Sequence, residues 1–368
     1  MKIEKNTHQI LIIAFFLLLL TTYSWACAKN IIIMIGDGMG SEQIKAAGMF
    51  VNGEPGTLLF EEFPHKSSVS THSANNSITD SAAAATAMAC GIKVNNGVVS
   101  KAIPGDDRNL ETVLEHYKAY AKSTGLVTTT HMTHATPACF GAHTSSRNNF
   151  SEIADNYFTY SKPNVLFGGG GFGVNRSIAE NAGYKVVINR NELFSLDTEN
   201  ERFVSGQFGN GNFPFEYDGL ENLPHLSEMT KTALHILDNN PNGFFLMVEG
   251  GLIDHAGHSN DIERNIRETA EFEVAVKEVL NWAENRNDTL LFVTADHETG
   301  GLIVINNNGI GNAPTVEWSS TGHTGVNVNI FAWGLHSELV LKIYDNTDIY
   351  KMLSSIPKNL PVYSAFRY

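Results

Sequence analysis

Four short apolar runs in this chain each lead into residues of the kind that bind metal ions. Asn30–Ile35 runs into Gly36-Asp37-Gly38-Met39-Gly40, and Gly125–Thr129 into His131, His134 and Thr136. Gly243–Val248 leads to Glu249, Asp254 and His258, and Thr289–Thr294 to Asp296 and His297. Short β-branched or apolar runs without polar alternation are the signature of strands covered on both faces. The stretches between them are amphipathic at helical spacing, as in Leu110, Val113, Leu114 and Tyr117, or Ile262, Ile266, Thr269, Val276 and Val279. The pattern predicts an α/β fold, a mostly parallel central sheet with helices on both faces in a three-layer sandwich. Ligands of such sheets bind beyond the carboxyl ends of the strands. One Asp or His past a strand is ordinarily a cap or a turn residue, but four strands ending this way predict a common metal site.

The rest of the chain bounds where such a protein works. Lys2 and Lys5 precede an apolar run from Ile10 to Leu20, with the small residues Ser24 and Ala26 at the −3 and −1 positions of a cleavage site. Residues 1–26 therefore read as a signal peptide, which predicts a periplasmic or secreted protein. The run is shorter than the roughly 20 residues a membrane-spanning helix needs, so no transmembrane anchor is expected. Cleavage would leave Cys27 first, a position where a lipid anchor can attach, although Ser24 and Trp25 match a lipoprotein signal poorly. Residues 27–368 are expected to form a single domain, with an irregular surface insertion over 189–224 where Gly, Asn and Phe recur without periodicity. The formal net charge of −14 would repel nucleic acid, and equally a phosphorylated substrate. An anion site here needs strong local positive charge, which bound metal supplies. Cys90 and Cys139 lie in small-residue apolar stretches and are expected to be buried thiols, with a disulfide between them as the alternative.

Asp254 and His258 are four residues apart, so a helical turn presents both on one face, a spacing that suits zinc. Asp296 and His297 are adjacent on a loop, and Asp37 sits in a glycine-flanked turn that a ligand can approach closely. Oxygen donors from Asp37, Thr136 and Glu249 suit magnesium. The segment from Thr79 to Gly91 sets Ser81 at the start of an alanine-rich helix, whose N-terminus attracts anions. Ser81 could be only the cap of that helix. Beside metal it could instead be a nucleophile, because coordination activates a hydroxyl without a neighbouring base. Arg147 offers a planar fork suited to two phosphate oxygens.

Taken in order, Ile35-Gly36-Asp37-Gly38-Met39-Gly40, Thr79-Asp80-Ser81-Ala82-Ala83, Ala135-Thr136-Pro137-Ala138, Ser146-Arg147, Val248-Glu249-Gly250, Ile253-Asp254, His258, Thr294-Ala295-Asp296-His297 and Gly322-His323-Thr324-Gly325 resemble the alkaline phosphatases. The resemblance runs from Ile31 to about Gly334. It implies one zinc on Asp254, His258 and His323, and a second on Asp37, Asp296 and His297 that also meets Ser81. It further implies magnesium on Asp37, Thr136 and Glu249, phosphate held by Arg147, a phosphoserine intermediate, phosphate monoesters as substrates, and a homodimer. Where one bacterial subgroup carries an aspartate and a lysine near the magnesium, this chain has His134 and His255, expected to support that site from behind, and the third metal's identity stays open. The segment between His297 and His323 is too short for the crown insertion of some relatives, so a dimer would have to use other surfaces.

Three other readings compete. Gly168-Gly169-Gly170-Gly171-Phe172-Gly173 fits a dinucleotide-binding pattern, but the next predicted strand, Tyr184–Ile188, ends on Asn189 instead of an acid for the ribose, and a tight glycine loop beneath the sheet is the simpler reading. A phosphodiesterase of the same superfamily is the nearest alternative; a sulfatase would need Cys-x-Pro-x-Arg, which is absent. A non-enzymatic metal-binding protein would need neither Ser81 nor Arg147.

Overall fold

The computed structural model describes residues 28–356. The expected signal peptide and Cys27 lie outside the described residues. Nine strands form one sheet in the order His65–Val69, Val328–Gly334, Thr289–Ala295, Asn30–Gly36, Phe244–Gly250, Ser123–His131, Val165–Gly170, Val204–Asn210, Lys185–Val187. Only Val328–Gly334 runs antiparallel to its neighbours. Every residue of Asn30–Gly36, Phe244–Gly250 and Thr289–Ala295 is buried, which is why these strands read as unbroken apolar runs. The helices form two packed groups. One joins Ser41–Asn52, Leu226–Leu237 and Ile262–Ala283; the other joins Ser81–Cys90, Val113–Ala119, Ala135–Gly141 and Thr347–Leu353. The α/β sandwich is as the periodicity predicted, apart from Leu110, which precedes its helix because Thr112 caps that helix and starts it at Val113.

Two expectations are corrected. The stretch 189–224 is not an irregular surface insertion throughout, since Val204–Asn210 enters the main sheet between Val165–Gly170 and Lys185–Val187, with its first five residues buried. Gly206 and Gly209 break the β-branched pattern that marks the other strands, and Phe208 compensates by packing edge-on against Phe167 and Phe213. The glycine run is likewise no loop beneath the sheet: Gly168, Gly169 and Gly170 are the carboxyl end of a strand. They are small because neighbours leave no room. A Cβ on Gly169 would lie 1.6 Å from the carbonyl oxygen of Gly211, and one on Gly168 would lie 2.7 Å from Thr128 Cγ2. Gly169→Ala is accordingly expected to cost about 3 kcal/mol or more, because the obstacle is backbone that cannot rotate away; a urea-unfolding midpoint equal to wild type would refute this steric account.

Cys90 and Cys139 are free and buried. Cys90 Sγ contacts Ser100 Oγ at 3.3 Å and Cys139 Sγ contacts the Ala82 carbonyl at 3.1 Å, so both act as packed thiols. The chain between His297 and His323 folds as two small antiparallel pairs, Leu302–Asn306 with Thr315–Trp318 and Glu298–Thr299 with His323–Thr324. The second pair carries His323 back to the sheet edge.

Candidate active site

The four strands that end on metal-type residues are consecutive in the sheet: Thr289–Ala295, Asn30–Gly36, Phe244–Gly250, Ser123–His131. Their parallel register brings Ile35 level with both Glu249 and Thr294, and Glu249 level with Thr128, so their carboxyl ends finish together. Asp37 follows in a turn where Gly38 has φ +69°, and a Cβ on Gly38 would lie 2.7 Å from Thr299 Oγ1 and 2.9 Å from Asp254 Cα. The glycine thus lets one ligand-bearing turn lie against the next. Gly38 N–H donates to Asp296 Oδ1 at 3.1 Å, tying the two loops together.

The side chains converge on three places. Asp37, Asp296 and His297 form one group whose candidate ligand atoms lie within 4.8 Å of one another; Asp254, His297 and His323 form a second; Asp37, His134 and Glu249 form a third. His297 Nε2 is 3.3 Å from Ser81 Oγ, 3.5 Å from Asp37 Oδ1 and 3.1 Å from Asp296 Oδ2. On the exposed side, His258 Nε2 stands 3.3 Å from Asp254 Oδ2, and His323 Nε2 stands 3.5 Å from Asp254 Oδ1. Thr136 lies beside the third group with its hydroxyl buried.

Two features of this arrangement fit bound cations. Among the described residues, both oxygens of Asp37, Asp296 Oδ2, Glu249 Oε1, Thr136 Oγ1 and His134 Nδ1 are buried without a hydrogen-bond partner. Buried polar atoms are ordinarily satisfied, and so many orphans at one place call for a ligand. The second feature is the pair His258 and His323, whose Nε2 atoms are 3.2 Å apart. Each ring places Nδ1 against a backbone carbonyl, Thr321 at 2.6 Å and Thr79 at 2.9 Å, so Nδ1 carries the proton and donates it. Both Nε2 atoms are thereby turned toward each other and toward Asp254, where a cation could take the lone pair of each, and the carbonyl contacts are those that orient metal-binding imidazoles.

Three of the buried groups are held away from their usual ranges. Burial, with the charges of Asp296 and Asp254 added, holds Asp37 well above the usual carboxylate range. Burial, with the charge of Asp296 added, pushes Glu249 up to about 7 despite the hydroxyl of Thr128 donating to it. Burial, with Arg147 beside it, keeps His134 well below the usual imidazole range.

Asp80, rather than Ser81, caps the helix Ser81–Cys90, with its Oδ1 accepting from Ala83 N–H at 2.9 Å. The Ser81 hydroxyl is released from capping and faces His297. The other Asp80 oxygen accepts from Arg147 Nη1 at 3.0 Å and from Gly97 N–H at 3.0 Å. Arg147 Nη2 reaches His134 Nε2 at 3.4 Å, and His134 in turn lies against His255, ring centroids 5.8 Å apart. Sequence reasoning did not single out Asp80 as the residue that holds the arginine, although its place between Thr79 and Ser81 is the usual signal for a cap. It also missed Thr299, whose hydroxyl donates to Asp254 Oδ1, and Thr128. Threonines on buried strands carry no distinctive pattern.

A model of the family described as alkaline phosphatase matches residues 28–172 and 174–317. Alkaline phosphatase 3 of Bacillus subtilis (strain 168) is 39% identical over 292 residues, an alignment covering 75% of this chain and 62% of that protein. The chain thus spans less than two thirds of that relative's length. The solved structure of alkaline phosphatase from the Antarctic bacterium TAB5 is similar with a TM-score of 0.80 and 29% identity, covering 90% of this chain and 98% of that one. A histidine-to-aspartate variant of the TAB5 protein, solved with magnesium bound in its M3 site, is similar at the same TM-score with 28% identity, covering 90% of this chain and 99% of that one. Both the sequence match across most of the chain and the shared sheet lead to one conclusion: this chain belongs to the alkaline phosphatase family.

Proposed function

We propose that the protein hydrolyses phosphate monoesters with Ser81 as nucleophile, Arg147 as the phosphate clamp, and two zinc ions and one magnesium ion in the cluster. The observation that carries this reading is the facing pair of His258 and His323 Nε2 atoms beside Asp254, 3.2 Å apart and oriented by carbonyls, on the same edge as a freed serine hydroxyl. Asp254, His258 and His323 would hold one zinc, and Asp37, Asp296 and His297 the other. Asp37, Glu249 and Thr136 would hold magnesium, and His134 is close enough to Asp37 and Glu249 to join them. Zinc bound there would lower the pKa of the Ser81 hydroxyl and offset the negative charge of the phosphoryl oxygens.

The chain's own residues do the rest. Asp80 fixes the helix start so that Ser81 Oγ points into the cluster, and it holds Arg147 through Nη1 while Nη2 lies against His134 Nε2; phosphate oxygens would take the N–H donors that these two contacts leave. Ser81 Oγ, its proton given up to solvent water, forms a bond to phosphorus as the ester oxygen leaves, and that oxygen takes a proton from water. The oxygen of a second water molecule then bonds to phosphorus as the bond to Ser81 Oγ breaks, Oγ regains a proton from that water, and inorganic phosphate is released. The test is turnover of a phosphate monoester against a diester after loading with zinc and magnesium. Preference for the monoester is expected; a faster diester reaction would favour the phosphodiesterase reading. We also read the protein as a periplasmic or secreted homodimer, from the residues of the amino terminus and from the family likeness. Among the described residues no helix is long and apolar enough to cross a membrane.

His134 and His255 should tune product release. Burial, ahead of the charges around them, holds both imidazoles below their usual range, so both are neutral at alkaline pH and add no charge beside bound phosphate. The double substitution His134→Asp with His255→Lys would bring a fixed positive charge near the phosphate and an additional carboxylate to the magnesium site. Tighter inhibition by phosphate, a lower maximal rate and a stronger hold on magnesium are expected. Phosphate inhibition identical to wild type in a fully metallated variant would remove these residues from that role.

A further inference from the structure

Phe172 stands in the glycine-rich run at the carboxyl end of Val165–Gly170, on the same edge of the sheet as the metal cluster. Its backbone has φ +48°, a conformation that a bulky residue adopts only under constraint. The constraint is visible. Gly171 and Val174 exchange backbone hydrogen bonds at 3.1 and 2.9 Å across it, and Thr133 Oγ1 donates to its carbonyl at 3.0 Å. The ring lies flat on His131, centroids 4.1 Å apart and planes 16° from parallel, with Phe150 edge-on at 5.1 Å. His131 is itself fixed, its backbone N–H donating to Asn212 Oδ1 at 2.9 Å and its Nδ1 lying 3.1 Å from Thr133 Oγ1.

From His131 the aromatic surface continues inward. His131 meets His134 edge-on at 5.3 Å, and His134 touches the guanidinium of Arg147. A run of planar groups therefore leads from the phosphate-binding arginine to a ring that remains 47% exposed. The reaction at phosphorus as proposed above uses neither Phe172 nor His131. The left-handed turn holds this ring with one side open to water, where a planar group can stack on it. His131 and His134 stand between the ring and the arginine, so a ligand reaching from one to the other needs a spacer between its phosphate and its planar group, as the sugar of a nucleotide is.

We propose that Phe172 is a specificity-determining platform on which the base of a nucleoside monophosphate stacks while its phosphate sits at Arg147 and Ser81. The proposal rests on the phosphatase reading above. It is tested with metal-loaded enzyme on two substrates whose leaving groups are both primary alcohols, adenosine 5′-monophosphate and glycerol 3-phosphate. Phe172→Gly removes the ring and accepts the left-handed backbone without strain, and Phe172→Trp keeps a stacking face. Phe172→Gly is expected to raise the KM for the nucleotide roughly ten-fold relative to that for glycerol phosphate, with the kcat ratio of the two substrates unchanged. Phe172→Trp should keep the wild-type ratio of KM values. If the KM values move together, or neither moves, while both substrates are still turned over, the platform is refuted and the phosphatase reading stands. If wild-type enzyme turns over neither substrate, both are refuted.

Discussion

Ser81→Ala is expected to lower monoester turnover by roughly 10⁴-fold or more while leaving the protein folded and able to bind metal. The structure separates the two effects. Asp80 supplies the helix cap, so alanine at the next position keeps the Asp80 Oδ1 contact to Ala83 N–H and the Asp80 contact to Arg147. What is lost is a buried hydroxyl that lies 3.3 Å from His297 Nε2. A structural cap would give the opposite pattern, a loss of about 1 kcal/mol of stability with activity retained. Acid quenching during turnover of a labelled monoester should trap phosphate on wild-type protein and none on the variant. Label recovered on any residue other than Ser81 would overturn the assignment of the nucleophile.

Removing the metals should produce the other large change. At least six acidic and imidazole side chains meet at the sheet edge, and several of their buried polar atoms have no hydrogen-bond partner among the described residues. Metals that bind only the folded chain stabilise it by about 4 kcal/mol at a thousand times their dissociation constant. For a chain of this size that corresponds to a melting temperature on the order of 10 °C lower after exhaustive chelation. Activity should vanish in the same step and return with zinc and magnesium. Thoroughly metal-free protein that keeps full activity would sink the metal-dependent mechanism, and an unchanged melting temperature would show that the orphaned groups are satisfied in some other way.

Both expectations began as readings of local sequence, and the structure shows where such readings reach their limit. The strands on either side of Asp37 were legible because a parallel strand covered on both faces must be apolar throughout. Val204–Asn210 was not, because Gly206 and Gly209 give it the composition of a loop, and only its neighbours and Phe208 make it a strand. The glycines at 168–170 matched a nucleotide-binding pattern for a reason unrelated to nucleotides: the Gly211 backbone and Thr128 occupy the space side chains would need. Asp80 and Arg147 are far apart in sequence, so nothing in the chain announced that the cap of one helix is also the ion-pair partner of Arg147.

The sequence by itself determined the α/β architecture and the identity of nearly every group in the cluster. Strand periodicity, the Asp254-to-His258 helical spacing and the glycine-flanked Asp37 turn are local properties, and local properties survive in a linear string. Tertiary structure alone decided that the four strands ending on candidate ligands are consecutive, because strand order follows from crossover connections and the burial of whole faces. It alone brought His323 across to His258, through the pairing of Glu298–Thr299 with His323–Thr324, and set His134 within reach of Asp37 and Glu249. These contacts join residues distant in the chain, and their geometry comes from packing the sheet and its loops as one body.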